Sequence, residues 1–170
     1  MDNGWKSAKP TKKTQAEKRA DQRMRNSWFT QQYEAYGENF ANFKNPENIR
    51  RESNKIFISL ANNAIDITKH GKCFEDPIFV NALKDIAYEK MVYHHVTSIG
   101  LQQFINTLHS NGQQAEAFIY NTLGLHQRAE ECYTLLYNAF SNIILTRDYL
   151  SVLATLMPLL NKYKNSLYPI

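Results

Sequence analysis

The chain has 170 residues, of which 43% are apolar and 21% charged, and its formal net charge is +4. These values are ordinary for a globular protein with a buried core, so they argue against a largely disordered or fibrous chain. Only six glycines and five prolines are present, too few for the turns that a β-sandwich or β-barrel needs every ~8–12 residues. We therefore predict an all-α fold, an irregular helical bundle of about five to seven helices preceded by a basic N-terminal arm.

Positive charge is concentrated at the N-terminus. Residues 1–28 hold eight basic and three acidic residues, a net charge of +5, whereas residues 29–170 have a net charge of −1. Because basic side chains that neutralise phosphates release counterions, such an arm is typical of polyanion binding. A solvated end and a segment that docks on an acidic protein are the alternatives. The residues predicted to contact a polyanion are Lys9, Lys12, Lys13, Lys18, Arg19, Arg23 and Arg25.

The arm, residues 1–26, divides into two parts. It lacks apolar periodicity up to about residue 13, so we expect disorder there. Thr14 and Glu17 then fit a capping box, and good helix formers follow them. The arm is therefore predicted to be disordered at first and helical afterwards, ahead of a single helical domain over residues 27–170.

An aromatic pattern follows the arm. Phe29, Tyr33, Tyr36, Phe40 and Phe43 recur at spacings of 4, 3, 4 and 3, the pattern of a helical seam. Packing onto the body of the same chain is one interpretation, and an anchor that docks on another subunit is the alternative. For docking, the predicted contact residues are Trp28, Phe29, Tyr33, Tyr36 and Phe40. We expect a break in this helix near Gly37, because glycine weakens a helix interior.

Two helix starts are strongly marked. Asn45-Pro46 and Asp76-Pro77 each place a capping side chain before a proline at the first helical position. We expect the first helix to reach Gly71 and the second to continue past Gly100 to a stop at residues 110–112. The apolar positions of the second helix are Ile78, Phe79, Ala82, Leu83, Ile86, Met91, Val92, Val96 and Ile99.

Three further helices complete the predicted bundle. A short helix near residues 113–123 should end before Gly124, and another should span residues 127–146. Arg147-Asp148 then opens a last helix, which we expect to kink or end near Pro158.

Residues with catalytic or metal-binding potential are scattered. Cys73 and Cys132 belong to no CxxC or Cys/His cluster, which favours two buried thiols in a reducing compartment over a disulfide or zinc site. Adjacent His94 and His95 cannot share one helical face. Nucleotide-binding loops, zinc-protease motifs and nucleophile elbows are absent from the sequence.

One carboxylate pair is worth weighing as an ion site. Asp85 and Glu89 are four residues apart on a predicted helix, but an exposed acidic patch is the simpler interpretation. We therefore predict no enzyme, no cofactor, no metal and no small-molecule substrate.

An apolar signal segment is also missing from the N-terminus. Residues 149–160, the most apolar stretch, are shorter than the ~20 residues of a membrane span, so we expect an intracellular or virion protein, neither secreted nor membrane-spanning.

The function predicted from these features is structural. Seventeen asparagines, with many Lys, Ile, Tyr and Phe, are typical of AT-rich genomes, including those of many phages and viruses. We expect a non-enzymatic assembly protein, a helical subunit of a larger complex such as a phage or viral particle. Its arm would contact DNA, RNA or an acidic partner surface, and the apolar end at residues 167–170 would be a second contact.

The alternative is a free-standing helical regulator that binds nucleic acid. The electrically neutral body counts against it, because Arg50-Arg51 is the only adjacent basic pair there and a DNA-reading helix is usually basic.

Overall fold

The computed structural model describes residues 12–26, 28–36 and 45–167, and these residues form helices and connecting turns without any strand. This confirms the all-α prediction. Two 3-10 helices, Lys72–Glu75 and Asn161–Ser166, accompany seven α-helices in this part of the chain. The α-helices are α1 (Gln15–Asn26), α2 (Trp28–Tyr36), α3 (Pro46–Ala61), α4 (Ile67–His70), α5 (Pro77–Ser110), α6 (Ala117–Thr146) and α7 (Tyr149–Leu160). The disorder predicted for the start of the arm falls mainly on residues 1–11, outside the described residues.

The helix starts predicted after Thr14, Asn45 and Asp76 are confirmed. The side-chain oxygens of Thr14, Asn45 and Asp76 each accept a hydrogen bond from a backbone N–H two or three residues on, at 3.1, 2.9 and 2.9 Å. Pro46 and Pro77 occupy first-turn positions, where a missing N–H does no harm. Helix α2 ends at Tyr36, so the predicted break near Gly37 falls at the edge of the described residues.

Helix α3 is shorter than predicted, since it ends at Ala61 and not at Gly71. Asn63 adopts a left-handed conformation with φ 53°. The N–H of Ala64 then donates to the carbonyl of Ser59 at 2.9 Å, which closes a Schellman motif. Asparagine tolerates this conformation better than other non-glycine residues, so it can end a helix without a glycine.

Gly124 does not separate two helices, contrary to the prediction. A single 30-residue helix, α6, runs through it from Ala117 to Thr146. A glycine inside a helix costs about 1 kcal/mol relative to alanine. Leu123 and His126 are both buried beside it, and burial of this kind outweighs that local cost.

Helices α5 and α6 form a long antiparallel hairpin. Helix α5 has 34 residues, so the two helices extend for roughly 51 and 45 Å at a rise of about 1.5 Å per residue. Helix α5 continues past Gly100 and stops at Ser110, as predicted, with Gly112 at φ +73° in the turn. Arg147, at φ 56°, caps α6, and α7 follows with Pro158 in its last turn.

The buried core occupies one half of this hairpin. Helices α3, α4 and α7 and the 3-10 helices, hereafter the body, pack there. Phe57 on α3 contacts the rings of Tyr133 and Phe140 at centroid distances of 6.0 and 5.9 Å. The core cluster has no fully buried member between Ala87 and Ala129. Residues 91–127 therefore extend beyond the core, and we refer to them as the projecting hairpin.

Candidate functional site

The two helices of the projecting hairpin meet along a regular seam. Residues at alternating spacings of four and three on α5 face α6, as in an antiparallel coiled coil. They are Ala87, Met91, His94, Ser98, Leu101, Ile105 and Leu108, each buried or half-buried. Leu123 and His126 are the buried counterparts on α6. The spacing therefore holds the hairpin together beyond the core.

A pair of histidines lies inside this seam. The Nδ1 atoms of His94 and His126 are 2.9 Å apart, which requires one ring to donate and the other to accept. The Tyr133 ring stacks on His94 at 5.6 Å, and Tyr93 contacts both imidazoles at their edges. Burial, His126 and Lys90 lower the pKa of His94 to about 4, and burial lowers the pKa of His126. Both rings are therefore neutral near pH 7.

The projecting hairpin is almost free of charge. Among residues 91–127, Glu116 is the one Asp, Glu, Lys or Arg, although 36 of the 170 residues of the chain are charged. Charged side chains resume at Lys90 on α5 and Arg128 on α6, where the part of the hairpin covered by the body begins. A solvent-exposed helical hairpin of an isolated protein normally carries charge on its outer faces, so this segment has the composition of an interface.

Large apolar side chains are exposed along the same segment. They are Val92, Tyr93, Val96, Ile99, Phe104, Phe118, Tyr120 and Leu125, with exposed fractions between 36% and 62%. Val92, Val96 and Ile99 were named from the sequence as apolar positions of this helix, and the structure exposes all three. These three residues lie opposite the seam, and we refer to them as the outer edge.

A second exposed surface continues the face that the body covers. Residues seven apart share nearly one face of a helix. Phe79 and Ile86 on α5 are buried in the core, and the next such positions are Tyr93 and Gly100. Cys132 and Ala139 on α6 are likewise buried, and the preceding positions are Leu125 and Phe118. The side face of the projecting hairpin is defined here as Tyr93, Gly100, Phe104, Phe118 and Leu125.

A groove marks the foot of this side face. It has a volume of about 490 Å³ and is lined by residues of α3, α5 and α6 together with Leu167. Arg50 on its wall donates two hydrogen bonds to the Glu89 carboxylate, at 2.7 and 3.1 Å. This ion pair lowers the pKa of Glu89 and raises that of Arg50. Glu89 is thus paired with arginine, which does not support an ion site formed with Asp85.

The predicted polyanion contacts are partly visible. Lys12, Lys13, Lys18 and Arg19 are exposed at the start of α1, and Lys13 forms an ion pair with Asp21. Arg23 and Arg25 belong to the same helix, but their side chains are not among the described ones. Lys9 lies outside the described residues. The polyanion role of all seven residues remains a prediction.

Among the five aromatic residues predicted to dock on a partner, Phe29 is the one whose side chain the structure describes. Phe29 is fully buried in the chain's own core, where its ring stacks on Phe74 with centroids 6.1 Å apart. This contact corresponds to the interpretation in which the aromatic pattern that begins at Phe29 packs within the same chain. Trp28, Tyr33 and Tyr36 belong to α2, but their side chains are not described, and Phe40 lies outside the described residues. Docking on another subunit remains a prediction for these four.

Other chemistry is sparse in the part of the chain that the structure describes. That part contains no group of three His, Cys, Asp or Glu side chains arranged to hold a metal ion. Cys73 and Cys132 are free and buried, as expected, and burial raises the pKa of Cys132 to about 12. No described helix has the length and apolarity of a membrane span.

Comparison with known proteins gives no further guide, since no family model, curated protein or solved structure matches the chain.

Proposed function

We propose that the protein is a non-enzymatic assembly subunit that binds other protein subunits through its projecting hairpin. The observation that carries this proposal is the combination of exposure and composition in residues 91–127. Eight large apolar side chains are exposed there and one charged residue is present. Exposed apolar patches rimmed by polar residues mark contact surfaces in soluble proteins.

The hairpin offers two separate apolar surfaces, the side face and the outer edge. Val92, Val96 and Ile99 follow one another at spacings of four and three, so they form one stripe opposite the seam. The stripe adjoins the side face on α5 but points in a different direction, since it lies opposite the seam. Two surfaces of this kind suit a subunit with neighbours on more than one side.

The basic arm adds a second proposed contact. Its exposed Lys12, Lys18 and Arg19 would neutralise phosphates of a nucleic acid, or acidic groups of a partner, outside the neutral body. Within a phage or viral particle, or another nucleoprotein complex, the arm would reach polyanion while the hairpin holds the protein lattice.

The native size of the protein tests this proposal. Size-exclusion chromatography of a gentle extract from the cells or particles that contain it should elute the full chain far above its mass of 19.8 kDa. Lysine at both Val96 and Phe118 should shift that elution towards smaller species, because an unpaired charge is expensive to bury. Elution of the unaltered chain as a free monomer would contradict the assembly role.

A further inference from the structure

We propose that the partner of the side face is a second copy of this chain, packed so that the two hairpins run antiparallel and form a four-helix bundle. This inference rests on the proposed assembly function and specifies one of its contacts.

Continuity with the core indicates what kind of surface belongs there. In the body half of the hairpin, helices α3 and α7 cover the same face, and the residues beneath them are apolar. Tyr93 and Leu125 extend that face without a change of chemistry, and Phe104 and Phe118 extend it towards the tip. The occupant is therefore expected to be apolar and helical, and a second hairpin supplies two such helices.

Charge also selects the partner. A nucleic acid or a strongly charged protein would need complementary charge on this surface, and Glu116 is the one charged residue in the segment. A second copy brings a side face that likewise has no charged residue, so no unpaired charge is buried between the two side faces. Homodimer interfaces are typically of this apolar kind.

The step between body and hairpin fixes the orientation. At its foot, the end nearest the body, the side face meets the body helices, which project beyond it by about one helix diameter of ~10 Å. Two copies with their tips at the same end would bring their bodies into collision. A twofold axis across the hairpins places each tip against the partner's foot. The groove there is lined by Tyr93 and His94 and also by the charged residues Arg50, Glu89 and Lys90.

The available area is sufficient for this contact. The projecting hairpin contains 20 residues of α5 (91–110) and 11 of α6 (117–127), roughly 30 and 16 Å in length, and each helix gives a face about 10 Å wide. Pairing therefore buries roughly 500 Å² of each copy, or about 1,000 Å² in total, where specific interfaces begin. Contact of each tip with the partner's body adds to that value.

Gly100 lies at the middle of the side face, so the twofold axis brings it against its own copy. A β-carbon at Gly100 would meet no atom within 4 Å in the single chain, and the same holds for Gly124 on another face of α6. Substitutions at either glycine therefore leave the fold of one copy intact. The two positions are a matched pair, one inside the proposed contact and one outside it.

Sedimentation equilibrium of the full chain tests the pairing. The unaltered protein and Gly124→Lys should both show a dimer, about twice 19.8 kDa. Gly100→Lys should associate roughly a hundredfold more weakly or not at all, since it places two charges together in an apolar contact. The inference would be overturned if the unaltered chain were monomeric at about 100 μM, because association that weak is outside the range of specific interfaces. It would also be overturned if both lysine variants formed dimers equally well.

Cross-linking tests the orientation separately. Under a mild oxidant, Gly100→Cys should form a disulfide-linked dimer and Gly124→Cys should not, because residues beside a twofold axis meet their own copies. Cys73 and Cys132 are buried and do not compete. A dimer that Gly100→Cys fails to cross-link would overturn the antiparallel arrangement. A monomeric pure chain that nevertheless elutes from extracts in a large complex would sink this pairing and leave the assembly role standing.

Discussion

The His94–His126 pair is the feature at the scale of single residues that chemistry can address most directly. Two neutral imidazoles share one proton between Nδ1 atoms inside an otherwise apolar seam. Protonating the pair would place positive charge beside Lys90 and under the ring of Tyr133. The hairpin therefore depends on these two side chains remaining neutral.

We predict a loss of stability as the pH falls from 6.5 towards 4. The unfolded chain binds protons at both histidines below pH 6.5, whereas folding lowers the pKa of His94 to about 4 and also lowers that of His126. Protons thus favour the unfolded state in this window, by about 1–2 kcal/mol for His94 after allowance for solvent screening. Urea unfolding at pH 7, 6 and 5 measures it, in a range that lies above the ordinary pKa of carboxylates.

The double variant His94→Phe/His126→Leu provides the comparison. It should lose less stability between pH 7 and 5 than the unaltered chain, with a remainder from His70, whose pKa burial also lowers. His109→Gln, at an exposed histidine near the hairpin turn, should behave as the unaltered chain does. An unchanged pH dependence in the double variant would show that the pair does not titrate with unfolding.

Local residue chemistry was largely readable from the sequence. The caps at Thr14, Asn45 and Asp76 were predictable because a capping side chain bonds to a backbone N–H only two or three residues away. Exposure was not readable in this way. Val96 and Ile86 look alike in the sequence of α5, and whether each is covered depends on body helices that are distant along the chain.

At the scale of elements, α2 is attached to the body through Phe29. Its ring is fully buried against Phe74, which in turn contacts Phe79 at 5.4 Å and Tyr149 at 6.5 Å. Among the side chains that the structure describes in α2, Phe29 is the aromatic one, and it links the region that carries the basic arm to the core.

Phe29→Ala should release this helix. Truncation of a buried phenylalanine costs about 3–5 kcal/mol, enough to undock a nine-residue helix while the hairpin stays folded. Hydrogen–deuterium exchange should become faster over Trp28–Tyr36 and stay slow in the buried parts of α5 and α6. Gln31→Ala, at an exposed position of the same helix, should change neither. Slow exchange of α2 in Phe29→Ala would mean that other contacts hold it.

Helix boundaries show where element prediction failed. The left-handed turn at Asn63 ends α3 before the predicted end at Gly71, and no proline or glycine in the sequence marks this turn. Gly124 led to the prediction of a helix break that the structure does not have, because the seam residues on both sides of it are buried against α5. In both cases the deciding interaction was a backbone motif or a tertiary contact that sequence spacing does not encode.

At the scale of the whole molecule, charge and apolar surface are segregated into an arm, a neutral body and an uncharged hairpin. The scarcity of charge in residues 91–127, where Glu116 is the one charged residue, is visible in the sequence itself. Its meaning depends on the structure, since the same run inside a core would be unremarkable. The helix lengths show that this segment is exposed, because α5 and α6 extend far past the shorter helices that cover them.

The arm should bind polyanions in proportion to its charge. We predict that the full chain binds labelled DNA or RNA with a steep salt dependence, and that Lys12, Lys13, Lys18 and Arg19 changed together to Gln weaken binding and flatten that slope. A matched variant with four exposed residues outside the arm changed to Gln, namely Lys69, Arg128, Lys162 and Lys164, should bind as before. Equal loss in both variants, or no binding at low salt, would contradict a nucleic-acid role for the arm.

Self-association of two lysine variants tests the role of the hairpin most directly. Phe118 and Val96 are 62% and 60% exposed, so lysine at either should leave the single chain folded. Phe118 belongs to the side face and Val96 to the outer edge. In sedimentation equilibrium, Phe118→Lys should be monomeric while Val96→Lys remains dimeric like the unaltered chain. Dimers in both variants, or a monomer before any substitution, would show that the side face is not where two copies of this protein meet.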